Sequence, residues 1–189
     1  MIEAFSNIAT AFGLSTSAGL NAYLPLLIVA LTARYTDLLH LNKPWDVMTS
    51  GWVIGALAVL LLVEMTADKI PAIDTVNDGI QTFGRPVAGA VLFAASSGAV
   101  GDVHPALAFI AGLLLAGGVH VVKTAARPMV TATTAGTGNW LVSLAEDVLV
   151  LISAIMAILA PIFVALVALF CGLLGLWWWG RRKARLSVA

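Results

Sequence analysis

Residues 13–25 have the sequence GLSTSAGLNAYLP and lie inside the first apolar segment of membrane-spanning length. Two glycines and a proline weaken a helix here, and in hydrocarbon no water satisfies the loosened backbone groups. Such a run is tolerated only against protein or a water-filled cavity. It therefore predicts a broken first helix and makes Ser15, Thr16, Ser17 and Asn21 candidate site residues. Tight helix packing through small residues is the alternative.

The composition predicts an integral membrane protein. Of the 189 residues, 60% are hydrophobic and 11% are charged, and the formal net charge is zero. This balance argues against a nucleic-acid partner and favours the lipid bilayer as the surroundings of the chain. The single Cys171 excludes an internal disulfide.

The distribution of apolar runs predicts an all-α fold, with residues 1–189 forming one transmembrane helix bundle of about six spans. The runs cover residues 11–33, 52–67, 86–100, 105–122 and 161–179, and a further stretch begins at residue 141. We favour two helices meeting at Ala160–Pro161, because both termini and most basic residues then face the cytoplasm. A single proline-kinked helix, giving five spans, is the alternative.

Residues 52–100 and 106–154 follow a common plan, which predicts an internal parallel repeat. Each unit has an apolar span, a terminal lysine, a loop and a second span, and Lys69 and Lys123 take equivalent places. The two loops would then converge around a pseudo-symmetric site. The alternative is that any two alternating spans look alike.

The first unit places charges at the end of one span and the start of the next. Glu64 and Asp68 are four residues apart and share a helix face. Because like charges repel, we expect at least one of them to be protonated, metal-bound or matched by a cation such as Lys69 or Arg85. Ion pairing at a helix end is the structural alternative. The candidate residues of this unit are Glu64, Asp68, Lys69, Asp74, Asp78 and Arg85.

The second unit carries two adjacent acids inside an apolar run. Burying either Glu146 or Asp147 in a membrane costs about 2.5 to 3.5 kcal/mol, so such residues normally face the bundle interior and find a partner. We regard them as the main functional pair, and the possible counter-charges are Lys69, Arg85, Lys123 and Arg127. His120 is a further candidate for handling protons. A salt bridge that only fixes helix register is the alternative.

Motifs of known enzyme classes are missing from the sequence. Residues 131–138 lack the lysine and spacing of a phosphate-binding loop, so we expect a flexible or re-entrant loop there. The lone His120 makes a zinc site improbable. We therefore predict no catalytic residue and no cofactor, and leave a metal undecided.

Three segments resemble the bacterial membrane family called domain of unknown function 4126. They are residues 13–27, residues 67–90 (ADKIPAIDTVNDGIQTFGRPVAGA), and the series from His120 to GTGNW and SLAED. The chain departs from the expected pattern at Gly84 and Asn139–Trp140. The resemblance implies a small polytopic protein of the bacterial cytoplasmic membrane with no assigned activity. The family-like positions are Ser17, Asn21, Pro25, Asp68, Lys69, Asp74, Asp78, Arg85, Pro86, His120, Lys123, Arg127, Glu146 and Asp147.

The function that we expect is a transporter or channel for a small solute or ion, coupled to protons or cations through buried carboxylates. A membrane enzyme acting on a lipid headgroup would instead use Asp74, Asp78 and Arg85 around a divalent ion. A structural or assembly subunit is the third class. The small-residue stretch 112–116 favours a homo-oligomer.

Overall fold

The computed structural model describes residues 2–41, 43–67, 71–97, 104–134 and 138–186. The described residues form an all-α protein without strands, as the sequence predicts. Its elements are α1 (Ile2–Ala18), α2 (Tyr23–Tyr35), a short 3₁₀ helix (Trp45–Thr49), α3 (Gly51–Ala67), α4 (Pro71–Ser97), α5 (Pro105–Thr134), α6 (Asn139–Leu159) and α7 (Pro161–Leu186).

Helix α1 runs antiparallel to α6. The hydroxyls of Ser17 and Ser153 lie 2.8 Å apart, and the Thr10 hydroxyl donates to the carbonyl of Ala157 at 2.9 Å. Residue numbers therefore increase along α6 in the direction in which they decrease along α1. Both contacts are buried or half-buried and fix the two helices side by side.

Helix α2 runs in the opposite direction to α1. Asn21, just before α2, donates to Asp147 near the start of α6, and farther along α2 Ile28 and Thr32 line a groove with Ile155 and Leu159. The numbering therefore rises along α2 and α6 together. The chain must therefore reverse between α1 and α2. The break that the sequence predicts is present, but the segment 11–33 is a helical hairpin rather than one broken span.

Residues 19–22, which we call the hairpin turn, owe their shape to local bonding. The Ser17 carbonyl accepts from the backbone N–H groups of Leu20 and Asn21, and this ends α1. Pro25 lies in the first turn of α2, where its missing N–H leaves no helical hydrogen bond unmade. Gly19 is required for packing, since a Cβ there would lie 2.5 Å from the carbonyl oxygen of Ala116 on α5.

Helices α4 and α5 approach closely through glycine. A Cβ added at Gly112 would collide with the carbonyl oxygen of Gly89 and lie 2.6 Å from the Cβ of Phe93. Helix α1 is joined to the same place, because the Ser15 hydroxyl donates to the Gly89 carbonyl at 2.7 Å. Small residues thus allow close helix packing here. This is the alternative that the sequence left open for residues 13–25.

The Gly112→Val variant is expected to unfold at a temperature about 2–12 °C below that of the wild type, because overpacking costs about 1–3 kcal/mol. Gly118→Val is the matched control on the same helix, since no atom lies within 4 Å of a Cβ added there. Thermal unfolding of the purified proteins measures both. Equal midpoints for the two variants would show that α4 and α5 do not meet at Gly112.

Helices α6 and α7 are separate but advance along α1 in the same direction. A Cβ at Gly13 would lie within 3.1 Å of both Ala157 and Val164, and farther along Leu173 lines a groove with Phe5. The junction that the sequence predicted as a reversal is a bend. Proline at the start of α7 has no N–H to continue the ladder of α6, which explains the break.

Two expectations about loops are wrong. Helix α4 begins at Pro71 and passes through Pro86, where the sequence predicted a loop and then the start of a span. Helix α5 continues to Thr134, so residues 131–134 are helical. The Thr131 and Thr134 hydroxyls donate to carbonyls four residues earlier, so both side chains make hydrogen bonds within the helix.

Within the described residues, α5 and α6 are long and apolar enough to cross a membrane. Helices α2 and α3 and residues Pro161–Gly175 are apolar but shorter. The structure thus supports a membrane protein in coarse terms, and it does not confirm six spans. The internal repeat stays a prediction.

Candidate functional site

The hairpin turn is enclosed by charged and polar side chains from α3, α4, α5 and α6. We call this set the turn cluster. Its members are all buried except the half-buried Glu146, and they come from five separate stretches of the chain. They are Asn21, Glu64, Arg85, His120, Lys123, Arg127, Glu146 and Asp147.

Lys123 joins the turn to the acidic helix α6. Its ammonium donates to the Leu20 carbonyl at 2.8 Å and contacts Oε2 of Glu146 at 2.9 Å. Arg127, one turn farther along α5, contacts the same oxygen at 3.1 Å. Two cations therefore converge on one oxygen of a half-buried carboxylate.

Asn21 joins the turn to Asp147. Its side-chain oxygen accepts from the Leu24 N–H in the first turn of α2 at 3.0 Å, so its NH₂ group faces the other way. That group donates to Oδ1 of Asp147 at 3.1 Å. One side chain thus stabilises the start of α2 and provides a donor to one oxygen of a buried acid.

Glu64 and Arg85 form a fully buried ion pair. Oε1 of Glu64 accepts from Arg85 Nη2 at 3.1 Å and Nε at 3.3 Å, and from the Ala22 N–H at 3.4 Å. Neither side chain has any exposed surface. The pair therefore fastens the hairpin turn to α3 and α4.

His120 is held in a defined tautomer. Arg85 Nη1 lies 3.1 Å from His120 Nδ1, and because a guanidinium only donates, Nδ1 must accept. The ring proton then resides on Nε2, which lies 3.2 Å from the hydroxyl oxygen of Thr82 and donates to it. The imidazole in this arrangement is neutral.

The charges of the turn cluster balance. Three cations, Arg85, Lys123 and Arg127, face three carboxylates among the described members. Pairing of this kind offsets the cost of removing each charge from water. The arrangement can hold or exchange protons and anions. Among the residues that the structure describes, no three His, Cys, Asp or Glu side chains are grouped to hold a metal ion.

An open groove of about 300 Å³ reaches the cluster from one side. Lys123, Arg127 and Glu146 line it, together with Leu20 of the hairpin turn. The remaining wall is apolar and comes from α5 and α6. The groove is therefore the route by which a molecule outside the protein can meet the cluster.

The structure brings together eight of the fifteen candidate site residues. Ser17 does not join them, because its hydroxyl donates to the Gly13 carbonyl of its own helix and contacts Ser153. Ser15 and Thr16 donate instead to the carbonyls of Gly89 and Phe12. Asp68 and Lys69 lie outside the described residues. Asp74 and Asp78 belong to α4, and their side chains also lie outside the described part.

Sequence reasoning missed Thr82 and the backbone groups of the turn. Thr82 lies three residues before Arg85, and this helical spacing could have indicated that both side chains share a face. The carbonyl of Leu20 and the N–H of Ala22 carry no sequence signal. Only the tertiary structure shows that charged side chains bind them.

The fold and cluster define an all-α protein in which a helical hairpin has its turn bound by buried ion pairs. The chain belongs to the family described as domain of unknown function (DUF4126), whose model matches residues 8–181. This confirms the resemblance found in the sequence. No curated protein and no solved structure matches the chain.

Proposed function

We propose that the protein is a small membrane transporter or channel for a small solute or ion, and that the hairpin is a re-entrant element. The outer surface of the protein suits a bilayer, since large apolar side chains of α5, α6 and α7 are exposed. Examples are Leu107, Leu114, Val121, Leu151, Leu166 and Phe170. Arg181 stacks on the exposed Trp177 at 3.9 Å, a pairing suited to the headgroup region.

The observation that carries the proposal is the double contact of Lys123. One ammonium holds both the Leu20 carbonyl of the hairpin turn and the half-buried Glu146. Any change of charge at Glu146 therefore acts on the turn through a single side chain. A carboxylate in this position suits coupling between a cation and a solute.

Neutralising Glu146 with a proton or another cation removes the attraction that holds Lys123 and Arg127 on its oxygen. Both side chains then become available to an anionic solute, and Lys123 can loosen its hold on the turn. The buried Glu64–Arg85 pair still holds the hairpin turn at Ala22 while this happens. Glu146 is thus the coupling residue of this mechanism.

The Glu146→Gln variant is expected to lose solute accumulation driven by a pH gradient, because glutamine cannot exchange a proton. Proteoliposomes are screened with labelled phosphate, acetate and rubidium and with an internal pH dye. Asp147→Asn is tested beside it, and Glu3→Gln on the exposed face of α1 is the matched control. Identical flux from the wild type, Glu146→Gln and Asp147→Asn in every assay would contradict the proposal.

A structural or assembly role is favoured by one observation, the complete burial of the Glu64–Arg85 pair. If the role is structural, neutralising this pair should reduce folding or the co-purification of partners. The wild type should then show no flux in the transport assays. The exposed edge of Glu146 argues for transport instead, since a residue that only locks helices needs no opening to a groove.

A further inference from the structure

The groove at the turn cluster continues as a second, apolar groove. This second groove has a volume of about 400 Å³ and lies between α1, α5, α6 and the start of α7. Leu20 and Val119 line both, so the two meet. Together they have the size of an ordinary ligand site, about 300–1,000 Å³. We call the combined feature the α5–α6 groove.

The two ends of the α5–α6 groove differ in chemistry. Lys123, Arg127 and Glu146 lie at one end, and the other end is lined by apolar side chains such as Ile152 and Phe163. A groove with one charged end and one apolar end fits an amphiphile better than a small polar ion.

Three hydroxyls along the apolar part do not alter this conclusion. Those of Thr16, Ser17 and Ser153 each donate to or contact groups of the protein itself, including carbonyls of their own helices. Their hydrogen bonds are thus made inside the protein, and the wall that remains is suited to hydrocarbon.

The length of the groove matches a lipid chain. From Val142 to Met156 it follows α6 for about 21 Å at 1.5 Å per residue. One leaflet of a bilayer has a hydrocarbon depth of about 15 Å, half of the usual core. An acyl chain can therefore lie along the groove with its headgroup at the charged end.

We propose that the α5–α6 groove binds an anionic phospholipid, with its phosphate on Lys123 and Arg127 and one acyl chain along α6. This proposal goes beyond the proposed function, because the lipid is a ligand of the same groove and not the solute or ion that is carried. The groove end has two cations and one carboxylate, which favours an anion, and the arginine fork matches phosphate oxygens. Glu146 is then a tethered competitor, because its oxygen occupies the place that the phosphate takes.

Native mass spectrometry of the detergent-purified full chain tests the proposal with phosphatidylglycerol, phosphatidylcholine and inorganic phosphate as probes. The wild type is expected to retain phosphatidylglycerol in preference to phosphatidylcholine. Inorganic phosphate alone should bind at least about tenfold more weakly, since it gains nothing from the apolar groove. Equal retention of the two lipids, or phosphate binding as tightly as phosphatidylglycerol, would overturn the proposal.

Two variants locate the binding. Leu149→Trp fills the apolar part of the groove and is expected to reduce phosphatidylglycerol binding about tenfold, whereas its neighbour Leu151→Trp, outside that lining, should leave it unchanged. Glu146→Gln should raise binding about tenfold, since a like charge is removed from the phosphate position. Equal effects of the two tryptophan variants, or weaker binding by Glu146→Gln, would count against the groove.

Binding and transport can fail separately. If phosphatidylglycerol binds in the groove but neither the wild type nor Glu146→Gln shows any flux, the lipid site stands and the transport proposal fails. If flux depends on Glu146 while Leu149→Trp leaves lipid binding intact, the transport proposal stands and the lipid assignment is wrong.

Discussion

The Arg85→Leu variant is expected to unfold about 6–20 °C below the wild type, the largest loss of stability that we predict for one substitution. Removing one partner of a buried ion pair costs about 3–5 kcal/mol, because the remaining charge stays buried without compensation. Glu64 would be that charge, and His120 would lose the donor that fixes its tautomer.

Arg34→Leu is the matched control for this loss. Arg34 is exposed on α2 and donates to the Thr49 carbonyl at 2.9 Å, so its removal should cost about 1 kcal/mol or less. Thermal unfolding of the purified variants, followed by circular dichroism, gives both values. Equal midpoints for Arg34→Leu and Arg85→Leu would contradict the buried pairing.

The double variant Glu64→Leu/Arg85→Leu separates charge from packing. Replacing a whole buried pair with apolar residues is often neutral or stabilising, so part of the lost stability should return. The recovery cannot be complete, since the Ala22 N–H and the His120 ring each lose a partner. A double variant less stable than Arg85→Leu alone would show that the two residues do not form one unit.

Cysteine labelling is expected to place the start of α1 and the loop after α2 on the same side of the membrane. Glu3→Cys and His40→Cys, each in a Cys171→Ser background, should react alike with an impermeant maleimide in sealed vesicles. Met129→Cys, exposed toward the other end of α5, should react oppositely. We expect maleimide labelling to be nearly complete at accessible cysteines and nearly absent at protected ones.

A single span over residues 11–33 makes the opposite prediction. Glu3→Cys and His40→Cys would then differ, and one of them would react like Met129→Cys. The same measurement tests the expected cytoplasmic location of the N-terminus. The structure already separates Lys123 from the start of α1, since Lys123 contacts Leu20 at the far end of that helix. The sequence prediction that both termini and most basic residues face the cytoplasm stays a prediction.

The candidate site was largely predictable because burial of charge is costly wherever it occurs. Glu146 and Asp147 stand inside an apolar run, and this alone indicated that they need partners. Few basic residues lie near them in the sequence, so the list of candidate cation partners was short. The sequence named Arg85 among the cations for Glu64, and the two side chains do pair. It did not decide which cations reach the acids of α6, where Lys123 and Arg127 both contact Glu146.

The sequence by itself determined an all-α fold, a break in the first helix and the membership of most of the turn cluster. These features follow from composition, local backbone preferences and the cost of buried charge, all of which act on short stretches. The tertiary structure alone decided that the chain reverses at residues 19–22, that α6 and α7 continue in one direction, and that charged side chains bind the turn. Direction depends on which helix faces pack together, and that choice is made by contacts between residues more than 100 positions apart, such as Asn21 and Asp147.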